Sequence, residues 1–273
     1  MICIKSYRGS LAEKSSSVCI MSIEKFDVLG VKIAILNLRK VCPLLEDLIQ
    51  NNRKVYICVA PVATIVDCQS NKEYKEVINQ AYCITPDGMP LVWLGRIKGH
   101  KDIERTYGPD LMLSLCDFGQ QKDYKHYLYG GLPATCQRLE DKLKQQFPKI
   151  QIAGQYSPPF RELTIEEDER VVEQINQANP DILWVGLGSP KQDFWMAQHR
   201  QRLNVPVMIG VGAAFDFLSG IKKQAPRWVR QIGMEWFFRL CCEPRRLAKR
   251  YIIGNSKFIY FLTRNFLLNI NQR

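Results

Sequence analysis

The chain of 273 residues predicts an α/β fold: a largely parallel sheet flanked by helices, with a basic helical appendage at its C-terminus. Three observations carry that reading. Short apolar runs rich in β-branched and aromatic residues alternate with amphipathic stretches, as strands and helices do around a parallel sheet. Two of the runs end in glycine loops, at Val185-Gly186-Leu187-Gly188 and Gly210-Val211-Gly212. The charge is also segregated. From Lys222 to Arg273, twelve Lys and Arg stand against Glu235 and Glu243, so +10 of the overall +11 lies in the last 52 residues.

Taken in order, the predicted strands are Val31–Leu36, Val55–Ala60, Ala81–Ile84, His126–Tyr129, Ile150–Ala153, Asp181–Val185 and Val207–Val211. Amphipathic stretches between them, such as Cys136–Phe147, Glu166–Gln177 and Gln192–Arg202, have helical periodicity. This alternation is Rossmann-like. Residues 1–22 read as a flexible extension, with a Ser15-Ser16-Ser17 run and without the apolar stretch of about 7–15 residues that marks a secretory signal. Met21 is a second candidate start. Residues 23–225 form the expected catalytic core, and residues 226–273 the appendage. Pro226 marks the boundary because the chain beyond it becomes helical, basic and aromatic. Breaks inside the appendage are expected at Glu243-Pro244 and at Gly254-Asn255.

Composition narrows the function classes. Hydrophobic residues at 46% and charged residues at 24% belong to a globular chain rather than a disordered one. The ten cysteines include no CxxC, and adjacent Cys241-Cys242 cannot easily share one zinc, so reduced thiols are expected. No run approaches about 18 uninterrupted apolar residues; the nearest candidate, Phe258–Ile270, is cut by Arg264. His100, His126 and His199 sit in unrelated contexts, with no Ser elbow and no HExxH. Without a DxD pair, a divalent ion on a nucleotide diphosphate has no obvious ligands, and no metal or cofactor is expected. A near-neutral body with a cationic end suits a soluble enzyme working on an anionic surface or a large anionic substrate.

Four segments end strands where ligands gather in a parallel sheet. Asp87, in Thr85-Pro86-Asp87-Gly88-Met89-Pro90, is a carboxylate held rigidly on a turn, although Asp-Gly is also an ordinary turn dipeptide. Arg105, in Glu104-Arg105-Thr106-Tyr107-Gly108-Pro109-Asp110, suits a bidentate phosphate clamp; an Arg105–Asp110 surface pair with a helix cap is the alternative. Gly130-Gly131 joins a strand to a helix, as a phosphate cradle or as a plain tight turn. Gly188, Lys191 and Gln192, in Gly186-Leu187-Gly188-Ser189-Pro190-Lys191-Gln192-Asp193, open a helix with a cation and an amide that suit a diphosphate and a sugar hydroxyl. Lys at a helix N-terminus runs against the dipole unless an anion shares the site.

Together with Gly210-Val211-Gly212-Ala213-Ala214-Phe215-Asp216-Phe217 and the tail motifs Ala225-Pro226-Arg227-Trp228, Gly233-Met234-Glu235-Trp236 and Glu243-Pro244-Arg245-Arg246, these residues resemble the WecG/TagA/CpsF family of bacterial glycosyltransferases, family 26 of the sugar transferases. The likeness runs from about Lys25 to Asn265. It implies an inverting, metal-independent transfer of N-acetylmannosamine, its uronic acid or glucose from UDP to a polyprenyl-diphosphate-linked sugar, in cell-surface polysaccharide or teichoic-acid-type synthesis. It places Asp87 on the family's base, with Arg105 and Gln192 at active-site positions. Gly130, Gly131, Gly188, Lys191, Gly212 and Asp216 are the candidate UDP-sugar residues, Asp216 being equally suited to capping a turn. By the same resemblance Arg239, Arg246 and Lys249 meet the acceptor diphosphate. Arg239, Arg246 and Arg250 share one helical face by their spacing, and Trp228, Trp236, Phe237, Phe238 and Tyr251 suit a lipid headgroup boundary. The expected place is the cytoplasmic side of the plasma membrane, peripherally bound; self-association is left open.

One departure stands out. Many family members carry polar Thr/Asn-type side chains after the strand that ends here at Ala60, whereas this chain has Ala60-Pro61-Val62-Ala63-Thr64. A nucleic-acid-binding protein using the basic tail on single strands is the alternative from another class, although it leaves the glycine loops unexplained. An NAD(P)-dependent oxidoreductase would need a dinucleotide fingerprint that the chain lacks.

Overall fold

The computed structural model describes residues 23–270, without the side chains of Arg227, Gln231, Arg246, Lys249, Arg250, Asn269 and Ile270. The expected extension over residues 1–22 lies outside the described residues.

A two-stranded antiparallel hairpin, β1 (Lys25–Val28) and β2 (Val31–Ala34), leads into helix α1 (Leu38–Gln50). The main sheet follows, with strands β3 (Val55–Ala60), β4 (Cys83–Pro86), β5 (Lys125–Gly130), β6 (Gln151–Tyr156), β7 (Ile182–Gly186) and β8 (Val207–Gly210). Their order is β4-β3-β8-β7-β5-β6, and every pairing is parallel. The connecting helices are α2 (Val62–Ser70), α3 (Lys72–Gln80), α4 (Met89–Ile97), α5 (Gly108–Gln120), α6 (Pro133–Gln146), α7 (Ile165–Ala178) and α8 (Lys191–His199). After β8 come α9 (Ala214–Leu218), α10 (Arg227–Gln231), α11 (Glu235–Cys242) and α12 (Pro244–Ile270). The predicted fold class is thus the observed one.

A strand inside a parallel sheet is covered on both faces, so its sequence must be apolar throughout. Strands β3, β7 and β8 meet this with Val-Tyr-Ile-Cys-Val-Ala, Ile-Leu-Trp-Val-Gly and Val-Met-Ile-Gly. Alternate side chains then feed two cores. Tyr56, Cys58, Tyr127, Tyr129, Leu183, Val185 and Met208 enter one, under α2, α3, α7 and α8. Ile57, Val59, Leu128, Trp184, Val207 and Ile209 enter the other, under α1, α5, α6 and α9. Edge strand β6, half-buried along its length, tolerates Gln151, Gly154 and Gln155 and carries a register shift opposite His126 and Tyr127.

The chain beyond Pro226 folds back onto this body. The expected break at Glu243-Pro244 is present, separating α11 from α12. The break expected at Gly254-Asn255 is not: α12 runs unbroken through both residues. Buried Phe258, with Phe261 and Leu262 beside it, packs into the first core where α12 lies on α2. That tertiary contact outweighs the roughly 1 kcal/mol that a helical glycine costs.

Behind the sheet, the Trp184 indole N–H donates to His126 Nδ1 at 3.0 Å, with both rings buried and stacked. Gly119 leaves the space that the imidazole fills. Burial pushes the His126 pKa down to about 4, so the ring is neutral when folded. A depressed base binds its proton more readily unfolded, so stability is full above pH 6.5 and is lost as pH falls towards about 4. Urea unfolding across that window should show a slope contribution approaching 1.4 kcal/mol per pH unit at most. His126→Phe should flatten the slope even though it lowers stability overall.

Candidate active site

In an open parallel sheet the strands' carboxyl ends share one edge, and a crevice forms where neighbouring connections leave for opposite faces. Helix α6 leaves β5 for the face opposite to that taken by α8 from β7, and Gly130 pairs with Gly186 between them. Asp87, Gly131, Gly188 and Gly212 all follow strands on this edge.

Asp87 lies one residue past β4, with its N–H donating to the Ala60 carbonyl at 3.2 Å. The following loop returns to the same place, because Thr106 N–H donates to the Pro86 carbonyl at 2.8 Å. Arg105 is thereby delivered to Asp87. Its Nε donates to the Asp87 carbonyl, and Nη2 reaches Asp87 Oδ1 at 3.5 Å and Glu235 Oε2 at 2.7 Å. The guanidinium also lies over the Tyr107 ring, 4.3 Å from its centroid. Burial drives the Asp87 carboxyl to a raised pKa, Arg105 opposes the rise, and Glu235 adds to it. Burial works against the Arg105 charge, but Asp87 and Glu235 outweigh it and raise its proton affinity. With 22% of its side chain still exposed, Asp87 can be reached from solvent. Such a carboxyl is suited to accepting a proton.

A second cluster forms at the glycine loops. Gln192, 2% exposed, takes two backbone N–H bonds on one oxygen, from Gly188 at 3.1 Å and Gly212 at 3.0 Å. Its amide nitrogen donates to Ser189 Oγ at 3.3 Å, so one side chain stitches the β7 and β8 loops together. The next residue, buried Asp193, accepts from the Tyr74 hydroxyl at 2.7 Å. Burial raises its pKa, against the hydrogen bonds from Tyr74, Ser189, Cys58 and Gln192.

The glycines divide into two kinds. Gly188, at φ +79°, faces open space, whereas a Cβ on Gly130 (φ +129°) would lie 2.6 Å from the Gly186 backbone. Gly130 therefore serves the close approach of two strands. The Gly131 N–H is used as well, donating to the Gly186 carbonyl at 3.3 Å.

Helix caps sort in the same way. Helices α1, α3 and α7 begin with Asn37, Asn71 and Thr164, each bonding a first-turn N–H through its side chain. Helices α2, α4, α6 and α8, which start just past β3, β4, β5 and β7, have no side-chain cap. Uncapped N–H groups and positive dipole ends gathered along one edge favour an anion there. Lys191, exposed at the first position of α8, adds a full charge.

A model of the Glycosyl transferase WecG/TagA/CpsF family matches residues 26–272. The chain belongs to that family. Among its relatives is a protein of Bacillus spizizenii named N-acetylglucosaminyldiphosphoundecaprenol N-acetyl-beta-D-mannosaminyltransferase. The two are 30% identical over 198 residues, 72% of this chain and 75% of the relative. A Bacillus subtilis protein of the same name is 32% identical over 176 residues, 64% of this chain and 67% of the relative. A Staphylococcus aureus protein, also so named, is 28% identical over 200 residues, 73% and 77% of the two chains. The chain is accordingly a glycosyltransferase, and the nucleic-acid reading of its basic tail is set aside.

For this transferase the structure brings Asp87 and Arg105 together, and separately gathers Gln192, Gly188 and Gly212. The Arg105–Asp110 pair offered as an alternative does not form, because Asp110 is held by Arg230 at 2.8 and 3.0 Å. Asp216 is engaged within its own turn, paired with Lys222 at 2.6 Å. Arg239 lies over the Phe217 ring, 5.2 Å from its centroid, and its charge acts on Asp87. Arg246, Lys249 and Arg250 fall on α12, their side chains outside the described set. Arg239 is on α11, so the single helical face expected for Arg239, Arg246 and Arg250 does not form, because the chain breaks at Glu243-Pro244. Among the described residues no group of three His, Cys, Asp or Glu side chains converges as a metal cradle. Sequence reasoning gave no role to Glu235 or Arg230. The signals for Glu235 were its place in the Gly233-Met234-Glu235-Trp236 motif and its being one of two acids in a strongly basic segment.

Because Asp87 binds its proton more tightly folded than unfolded, its ionised form costs stability at neutral pH. The neutral mimic Asp87→Asn should therefore melt higher than the wild type at pH 7 by calorimetry. The gain should shrink as pH falls into the carboxylate range.

Proposed function

We propose that this transferase moves a hexose-type sugar, with inversion, from a UDP donor to a sugar carried on a polyprenyl diphosphate at a membrane surface. The observation that carries the reading is the half-buried, solvent-reachable Asp87 carboxylate gripped by Arg105 at the carboxyl edge of the sheet. An acceptor hydroxyl oxygen attacks the anomeric carbon while Asp87 takes its proton. The bond from that carbon to the diphosphate oxygen breaks, and UDP leaves with the electron pair. Lys191 and the uncapped starts of α6 and α8 then stabilise the departing charge. Gln192 keeps the Gly188 and Gly212 loops in register beneath it.

N-acetylmannosamine is the first donor to test, since the relatives' names specify it. Its uronic acid and glucose follow, because Ala60, Pro61 and Val62 give the wall beside Asp87 no side-chain polar group, and Val62 packs at Gly88. The segment after Pro226 is the acceptor and membrane appendage in this reading. No described helix is long and apolar enough to cross a membrane. Trp228, Ile232 and Trp236 nevertheless stand 40–65% exposed, beside a dense set of basic residues. An interfacial surface joins these two features, each basic residue near an anionic leaflet adding about 1 kcal/mol.

The deciding assay follows UDP release by purified protein with each UDP-sugar and a lipid-diphosphate-sugar acceptor, with and without EDTA. Acceptor-dependent release that survives EDTA is expected. Asp87→Asn should reduce turnover by at least about a hundredfold while UDP binding persists. Equal loss of binding would remove Asp87 from the role of base.

A further inference from the structure

We propose that Glu235 is a positioning residue of the transfer reaction. This carboxylate, carried on α11, holds Arg105 against Asp87 and so makes docking of the C-terminal helices a condition of having a competent base. The inference rests on the assignment of Asp87 as the base.

Among the described residues, an ion pair crosses between the body and the appendage in each sense. Arg105 of the body reaches Glu235 of α11 at 2.7 Å, and Arg230 of α10 reaches Asp110 of α5 at 2.8 Å. Both guanidinium groups lie over the same Tyr107 ring, at 4.3 and 5.6 Å from its centroid. The pairs differ in burial. Asp110 keeps 40% of its side chain exposed, whereas Glu235 keeps 7% and Arg105 16%.

That difference separates a staple from a positioning group. An exposed pair can hold two elements together at little desolvation cost. A buried one carries a heavy desolvation cost, and an apolar contact of the same volume would do the stapling as well or better. Burying Glu235 beside another carboxylate adds like-charge repulsion. What it gains is geometry: Arg105 is held from both sides, by the Asp87 carbonyl and by Glu235. The charged or titratable groups acting on Asp87 are Arg105 from the loop before α5, Glu235 and Arg239 from α11, and Tyr107 beneath. The Tyr107 hydroxyl sits near Gln224 and Glu235 without a well-formed bond to either, and burial raises its pKa, so it stays neutral.

The test uses the full chain and three variants, Glu235→Gln, Glu235→Asp and Asp110→Asn. It combines the pH dependence of kcat/KM for sugar transfer, a carboxyl-carbon NMR titration of Asp87, and thermal melting. Removing the Glu235 charge should move the Asp87 midpoint and the acidic limb of the rate profile to lower pH. It should also cut kcat by at least about tenfold. Glu235→Asp should keep the midpoint near that of the wild type. Asp110→Asn should lower the melting temperature without moving the midpoint. If Glu235→Gln melts lower but leaves the Asp87 midpoint in place, Glu235 is a staple and the proposal is overturned. If the midpoint moves while wild-type protein transfers no sugar, the reading of function fails and the control of Asp87 by Glu235 stands.

Discussion

Everything in this molecule follows from an all-parallel sheet that must be covered on both faces. Parallel strands send every carboxyl end to one edge, so the loops able to do chemistry share one side by topology alone. Coverage on both faces demands helices after each strand, and their N-termini arrive at the same edge. Asn37, Asn71 and Thr164 cap α1, α3 and α7, whereas α2, α4, α6 and α8 begin in a row of loops directly after β3, β4, β5 and β7. Along that row the caps are missing. The fold thus gathers positive helix ends without side-chain caps where a diphosphate would meet them.

Within that setting the charge arrangement at Asp87 is costly in the way functional sites are. A carboxylate sunk at the end of a strand, with a second carboxylate across a shared arginine, is a poor way to stabilise a fold. It is a good way to keep a base responsive. Burial and Glu235 raise the proton affinity of Asp87, while Arg105 restrains the rise. By contrast the Asp193–Tyr74 contact, more deeply buried, holds α8 against α3 and leaves the neighbouring Gln192 free to tie two glycine loops.

How much of this was legible in the sequence depended on the range of the interaction involved. Val55–Ala60 and Val207–Gly210 announce themselves because a doubly covered strand has no polar side, and that pattern is local. The hairpin strand Lys25–Val28 was not assigned, since four residues of Lys-Phe-Asp-Val carry little signal until Val31–Ala34 pairs with them. Gly254-Asn255 looked like a helix end because local propensity says so. Phe258, packed in the core, overrules it. Asp87 and Arg105 were visible as candidates through their motifs, yet the partner assigned to Arg105 by proximity, Asp110, belongs to Arg230. Glu235 was out of reach for the same reason: its contact with Arg105 spans 130 residues and exists only once α11 has folded back.

The charge pattern of the tail then acquires a structural meaning. A segment with twelve cations and two acids would suit an anionic surface whatever its fold, and as a detached arm it would do no more than tether. Here one of the two acids is turned inward and buried on the arginine of the body, while Arg230 clasps the body from the other side. The α12 helix lies along α2 and adds Phe258 to the core. The body therefore holds Asp87 and Arg105 but not the full set of charges that fixes them. On the proposal that Asp87 is the base and that the appendage meets the membrane, the buried Arg105–Glu235 pair would link the location of the protein to the readiness of its chemistry.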